Sequence, residues 1–266
     1  TLWDVTGIYA SMARTLNKYF HHPGKNRYLK NDFHAPVYVD GSDEHDLKSK
    51  ANSYLSASSI YLTFDALKEL YRPGEETGWR QFSSSKDIAW KTGTSNGFRD
   101  AWTAGVFGPY VLVVWIGNFD GAGNPAFVGV QAAAPLFFRV VDAIAAHDSS
   151  LVEPAFRQPA RLARVEVCTA SGDLPNAECP QTSTTWYIPG VSPIRVSDVH
   201  RRVWIDTRTG EQACPPYDPA HTRSEVFEYW PSELMQLFSQ AGMPRRRPPE
   251  PAVCLRGVPG GTPPRI

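Results

Sequence analysis

The chain has 266 residues, enough for one large domain or two smaller ones, and an apolar fraction of 42% that can fill an ordinary globular core. Its 27 Lys and Arg balance 27 Asp and Glu, so no charge excess draws it to nucleic acid or an acidic membrane surface. No apolar run nears the roughly 18 residues a transmembrane helix needs.

A helix is expected from Thr1 to Tyr19, with Leu2, Val5, Ile8, Met12 and Leu16 forming one apolar stripe. The chain opens in the middle of this pattern with no initiator Met and no leader, so a piece of a longer polypeptide is expected. His21 to Lys50 is polar and irregular, with turn signals at His22-Pro-Gly24 and Asp40-Gly-Ser-Asp43. A second helix is expected from Ser58 to Tyr71 on Ile60, Leu62, Phe64, Leu67 and Leu70, stopped by Arg72-Pro73-Gly74. Three strands follow, Asp87 to Thr94, Asp100 to Phe107 and Tyr110 to Asn118. The short turns at Asn96-Gly97 and Gly108-Pro109 make them antiparallel neighbours. Gln131 to His147 reads as an apolar helix covering one face of that sheet, and the order of elements gives an α+β layer.

Composition changes near Asp148, and 148–160 reads as a linker. Beyond it, Leu162 to Cys168, Thr184 to Ile188 and Arg202 to Asp206 read as strands, the last turning back through Thr207-Arg-Thr-Gly210 as a hairpin. A short helix is expected from Pro231 to Ala241, and Pro244 to Ile266 as an extended, solvated tail. All four cysteines, Cys168, Cys179, Cys214 and Cys254, lie in this half. Zinc and free thiols compete with disulfides, but the spacing lacks the close Cys-x-x-Cys pairs of zinc sites, and a small β module suits an oxidising compartment. Of the possible pairings, Cys168–Cys179 with Cys214–Cys254 is favoured, because the first closes a short Ser171-Gly172 turn.

Chemistry concentrates around Lys91-Thr92-Gly93-Thr94. An acyl-transfer site needs a cation for a substrate carboxylate, which Lys91 supplies, and hydroxyl donors for it, available from Thr92 and Thr94. It also needs an N–H aimed at the developing oxyanion, which the Thr94 peptide offers, while Gly93 lets a substrate backbone approach. Ser83-Ser-Ser-Lys86 fits a Ser-x-x-Lys nucleophile pattern, but Ser83 stands about 8 residues, ~25 Å of extended chain, from Lys91 and cannot converge on it. It is read as a coincidence. Ser95 and Asn96 are expected to shape the turn, and Arg99 with Asp100 to pair locally. Trp186, Trp204 and Trp230 are read as core of the β module rather than a glycan platform. His200 shows no metal set, and Arg245-Arg246-Arg247 reads as solvated.

The stretch "AWKTGTSNGFRDAWTAGVFGPYVLVVWIGNFDG" closely resembles the transpeptidase domain of class A penicillin-binding proteins, most of all the 1C type. "LWDVTGIYASMART" resembles the helix after that family's second active-site motif, and "QAAAPLFFRVVDAI" its closing helix. "VCTASGDLPNAECPQT", "WYIPGVSPI" and "VHRRVWIDTRTG" resemble its C-terminal β module. The resemblance implies the C-terminal half of a penicillin-binding/β-lactamase-like transpeptidase domain (1–150), a small β-sandwich-like module (151–250) and a tail (251–266). It implies serine acyl transfer from D-Ala-D-Ala stem peptides, trapping by β-lactams, no cofactor or metal, and a place on the periplasmic face of a bacterial inner membrane. Lys91 and Thr94 would be catalytic, and Lys91, Thr92, Gly93 and Thr94 would bind substrate. The family's Ser-x-Asn motif does not occur in the chain, and its nucleophile lies upstream of the position matching Thr1, so the chain alone is expected to be inactive. The partners so implied are the remaining N-terminal part of the protein, with its glycosyltransferase, and a periplasmic protein on the β module. Two other readings are a non-catalytic module that binds peptidoglycan and a serine D,D-carboxypeptidase or β-lactamase.

Overall fold

A computed structural model describes residues 1–21, 28, 32–38, 55–70, 88–148 and 156–250. They form an α+β protein of two compact units, Thr1–Leu162 and Ala163–Ile266. The expected boundary at 150/151 and the tail from 251 lie outside the described residues, as do Ser83 and Lys86.

The first unit is a three-stranded antiparallel sheet of β1 (Ala89–Thr94), β2 (Asp100–Phe107) and β3 (Tyr110–Gly117), in the order β1-β2-β3. The register runs Thr94↔Ala101 and Asp100↔Gly117, and Gly108 at φ 50° closes the two-residue turn between Phe107 and Tyr110. Because successive strand residues face opposite sides, the sheet carries two cores. Trp90, Ala101, Phe107 and Val114 pack with Ala134, Phe137, Phe138 and Val141 of α3 (Ala133–His147), which recur at helical spacing on one face. Ala89 and Val106 point the other way, to Met12 and Leu16 of α1 (Leu2–His21), to Ile60 and Phe64 of α2 (Ala57–Lys68), and to Phe156. Phe156 therefore belongs to the first unit, stacked on Phe64 at 4.7 Å.

The stripe expected on α1 is only half used. Leu2 and Ile8 are exposed, and Gly7, Ser11 and Thr15 are buried instead. Small residues let the 33–36 segment lie against the helix: a Cβ on Gly7 would meet Pro36 Cδ at 2.9 Å, and Ser11 Oγ donates to the His34 carbonyl. α2 starts at Ser56, whose Oγ accepts the Ser59 N–H at 3.1 Å.

The second unit has two two-stranded antiparallel sheets, β4 (Ala163–Cys168) with β5 (Thr182–Tyr187), and β6 (His200–Asp206) with β7 (Thr222–Glu228), followed by α4 (Ser232–Gln240). The expected hairpin at Thr207–Gly210 forms only a one-residue bridge, Ile205↔Gln212, and the main partner of β6 is β7. β7 is hidden in the sequence because its charged residues alternate with few apolar ones, and only Phe227 is buried. The three tryptophans are not buried core: Trp204 is 37% exposed and stacks on Tyr217, and Trp186 and Trp230 are half-buried. The segment 244–250 is tied down as well. Arg246 pairs with Glu225 at 2.7 Å and lies over Phe227, Arg245 pairs with Glu228 at 3.6 Å, and Gln212 donates to the Pro249 and Glu250 carbonyls. No helix among the described residues is long and apolar enough to cross a membrane.

Candidate functional site

Strand β1 is terminal in its sheet. Ser95 N–H donates to the Asp100 carbonyl at 3.0 Å, which extends the register by one pair. In an antiparallel ladder such bonded pairs alternate with non-bonded ones. Lys91 and Gly93 therefore bond to β2, whereas Thr92 and Thr94 direct N–H and C=O to the opposite edge. Among the described residues no strand pairs with that edge.

Side chains alternate too. Lys91 and Gly93 share the face of Ala89, toward α1 and α2, and Thr92 and Thr94 share the face of Trp90, toward α3. The four residues are brought together at the edge rather than on one face. Lys91 is exposed and Nζ donates to the Thr92 carbonyl at 2.7 Å on the open edge. It makes no ion pair among the described residues, so its charge is available. Thr94 Oγ1 accepts the Gly129 N–H at 2.9 Å, which leaves its own proton to donate. Among the described residues a Cβ on Gly93 would touch only Trp102 Cβ, at 3.6 Å, an ordinary contact that leaves room for it.

The surroundings hold this edge still. Ser95 Oγ accepts the Asp100 N–H at 2.8 Å, and Ser95 O accepts the Phe98 N–H, so Ser95 does shape the turn. Gly97 at φ 75° and Phe98 at φ 53° carry the left-handed backbone the turn needs. The expected Arg99–Asp100 pair is not formed among the described residues. Asp100 Oδ1 instead accepts Trp115 Nε1–H at 2.8 Å. The loop from Asn118 to Ala132 lies across the strand ends: a Cβ on Gly129 would meet the Gly93 carbonyl at 2.5 Å, and one on Gly123 the Gly97 carbonyl at 2.3 Å.

An aromatic row adjoins Gly93. Gly93 is paired with Trp102, and Trp102 with Trp115, on one face. Ring centroids of Trp102–Trp115 and Trp115–Phe119 stand 6.3 and 6.2 Å apart, and Phe119 is fully exposed. Sequence reasoning missed this row, although the strand register, once set by the two turns, would have aligned the two tryptophans.

The second unit holds the cysteine chemistry. Cys168 and Cys179 form a disulfide with Cα atoms 6.0 Å apart. Cys214 is also disulfide-bonded, and the expected Cys214–Cys254 pair reaches outside the described residues through Cys254. His200, read from sequence as without a metal set, is buried with Nδ1 3.6 Å from Cys168 Sγ. Cys168, Cys179 and His200 each offer a ligand atom, all within 4.8 Å of one another. A groove of about 620 Å³ runs between β7, α4 and residues 247–250, with Trp230, Met235, Gln236 and Arg247 in its wall.

Comparison with known proteins shows what the chain is similar to. Residues 158–202 match the family model described as "Penicillin-binding protein 1A, C-terminal domain". Penicillin-binding protein 1C of Escherichia coli (strain K12) is 30% identical over 158 residues, 55% of this chain and 20% of the relative. Penicillin-binding protein 1A of Clostridium tetani (strain Massachusetts / E88) is 29% identical over 169 residues, 60% of this chain and 21% of the relative. The crystal structure of penicillin-binding protein 1A from Haemophilus influenzae is similar at a TM-score of 0.41 and 23% identity, covering 54% of this chain and 22% of that one. The matched relatives are thus about five times longer than the stretch they share with it. These matches support a fragment of a class A penicillin-binding protein.

Proposed function

We propose that the chain serves peptidoglycan synthesis as the Lys-Thr-Gly half of a D,D-transpeptidase site, followed by a β-sandwich-like module. In this reading Lys91 neutralises the terminal carboxylate of a D-Ala-D-Ala stem peptide, and the Thr92 and Thr94 hydroxyls add donors to it. The peptide lies along β1 as an added strand, and the Thr94 N–H stabilises the oxyanion as a serine attacks the penultimate carbonyl. That serine and its proton-transfer partners come from residues upstream of Thr1, as does the glycosyltransferase. The peptide bond to the terminal D-Ala breaks and that residue leaves, the acyl-enzyme is then resolved by the amine of a neighbouring stem, and a β-lactam traps the same serine.

The observation that carries the reading is the edge of β1 that no strand among the described residues covers, with alternate N–H groups pointing outward beside Lys91, which makes no ion pair among those residues. The test is intact-mass spectrometry after incubation with excess penicillin. This chain should gain no adduct, and a chain extended upstream should gain one. In the extended chain Lys91→Ala should slow acylation by roughly 10- to 100-fold, the worth of a charge-assisted contact. A stoichiometric adduct on a serine of this chain would overturn the split-site reading.

The groove beside Trp230 favours a second reading, in which the second unit docks peptidoglycan without catalysis. Sedimentation of the chain with purified sacculi distinguishes it, because binding should then survive Lys91→Ala and fail when Gln236→Trp fills the groove.

A further inference from the structure

We propose that Cys168, Cys179 and His200 form a zinc site that is closed while the two cysteines are bridged and opens when a dithiol reduces them. The inference rests on the second unit alone and is independent of the role given to Lys91.

The geometry already fits a metal on one side. Zinc holds thiolate sulfur at about 2.3 Å and imidazole nitrogen at about 2.05 Å, and under a tetrahedral angle two such ligands stand about 3.6 Å apart. Cys168 Sγ and His200 Nδ1 are separated by 3.6 Å. The two sulfurs need about 3.8 Å, a spacing that two unbonded thiolates reach once the bridge is cut. His200 is also oriented for ligation. Its Nε2 lies 3.8 Å from Glu228 Oε1, which places a carboxylate on the far side of the ring to orient it when Nδ1 binds a metal.

The cradle does not depend on the S–S bond. Asn176 Nδ2 donates to the carbonyls of Ser197 and His200, both at 2.9 Å. Glu178, next to Cys179, receives a forked pair from Arg202, two residues past His200, at 2.9 and 2.6 Å. The Cys168 N–H bonds to the Asp173 carbonyl at 2.7 Å, which holds the turn between the two cysteines. These ties keep the Cys179 segment beside His200 after reduction, so the ligands are pre-organised in the thiol state.

The chemistry balances. The disulfide takes two electrons and two protons from the dithiol, which itself becomes a disulfide. Zinc then displaces the two thiol protons and adds the neutral imidazole, leaving its fourth position to water.

The test uses the whole chain, with a phosphine as reductant because dithiols chelate zinc. Zinc should be retained after desalting by the reduced chain, at one per molecule in a Cys214→Ser/Cys254→Ser background, and not by the oxidised chain. Cobalt(II) should give a thiolate-to-metal charge-transfer band that is lost in Cys168→Ser. Glu228→Gln should weaken zinc 10- to 100-fold. A readout on the parent chain needs no variant: zinc should slow alkylation of Cys168 and Cys179 as mapped by peptide mass. Alkylation of those two cysteines unaffected by zinc, or a cobalt spectrum without the thiolate band, would overturn the proposal.

Discussion

Two glycines of the candidate site do opposite things. A Cβ on Gly93 would make an ordinary contact with Trp102 Cβ at 3.6 Å, so Gly93→Ala should leave the melting curve of this chain within about 0.5 kcal/mol of the parent while impairing β-lactam acylation in an upstream-extended chain. Gly129 sits against backbone, with a Cβ 2.5 Å from the Gly93 carbonyl and 3.0 Å from that of Trp102. Backbone cannot swing aside as a flexible side chain can, so Gly129→Ala should cost about 1–3 kcal/mol in chemical denaturation. In the second unit, hydrogen bonds from the Arg208 guanidinium and backbone N–H hold the Asp206 carboxyl well below the usual carboxylate range. A depressed folded-state value contributes stability above the ordinary carboxylate pKa and loses it as pH falls through the folded value. Thermal melting from pH 5 down to 2 should therefore fall, and Asp206→Asn should flatten that fall.

The elements differ in how much they rest on burial. Phe137 is fully buried in α3, edge-on to Phe107 and Phe138, and its Cζ fills the space over Gly105. Phe137→Ala should cost about 3–5 kcal/mol by denaturant titration, because the rigid sheet beneath cannot collapse into the cavity. α4 is the reverse case. It buries no residue, so Leu237→Ser should leave stability within about 0.5 kcal/mol. β1, β2, β3 and α3 were legible from sequence to within two residues, because apolar runs there end at Asn96-Gly97, Gly108-Pro109 and the polar 118–130 loop. β7 was not, since a strand with one buried side chain has no periodic apolar signal to read.

For the whole molecule, the two units are expected to unfold separately, and only the second contains cysteines. Reduction should lower the transition of that unit and spare the other. Opening the Cys168–Cys179 loop alone, with its separation of 11, is worth about 3 kcal/mol of chain entropy. Tryptophan fluorescence and circular dichroism during urea titration, with and without phosphine, check this. The sequence by itself determined the short-range features: the turns, the antiparallel order of the first three strands, and a lysine, two hydroxyls and a glycine on one strand. Such features follow from local backbone preference and from alternation, which neighbouring residues impose on one another. Only the tertiary structure decided which edge of β1 has no strand partner among the described residues, which partner takes Asp100, and that His200 meets Cys168. Those contacts join residues 15 to 32 positions apart, and the separation of partners is set by how the chain packs, not by any local pattern it carries.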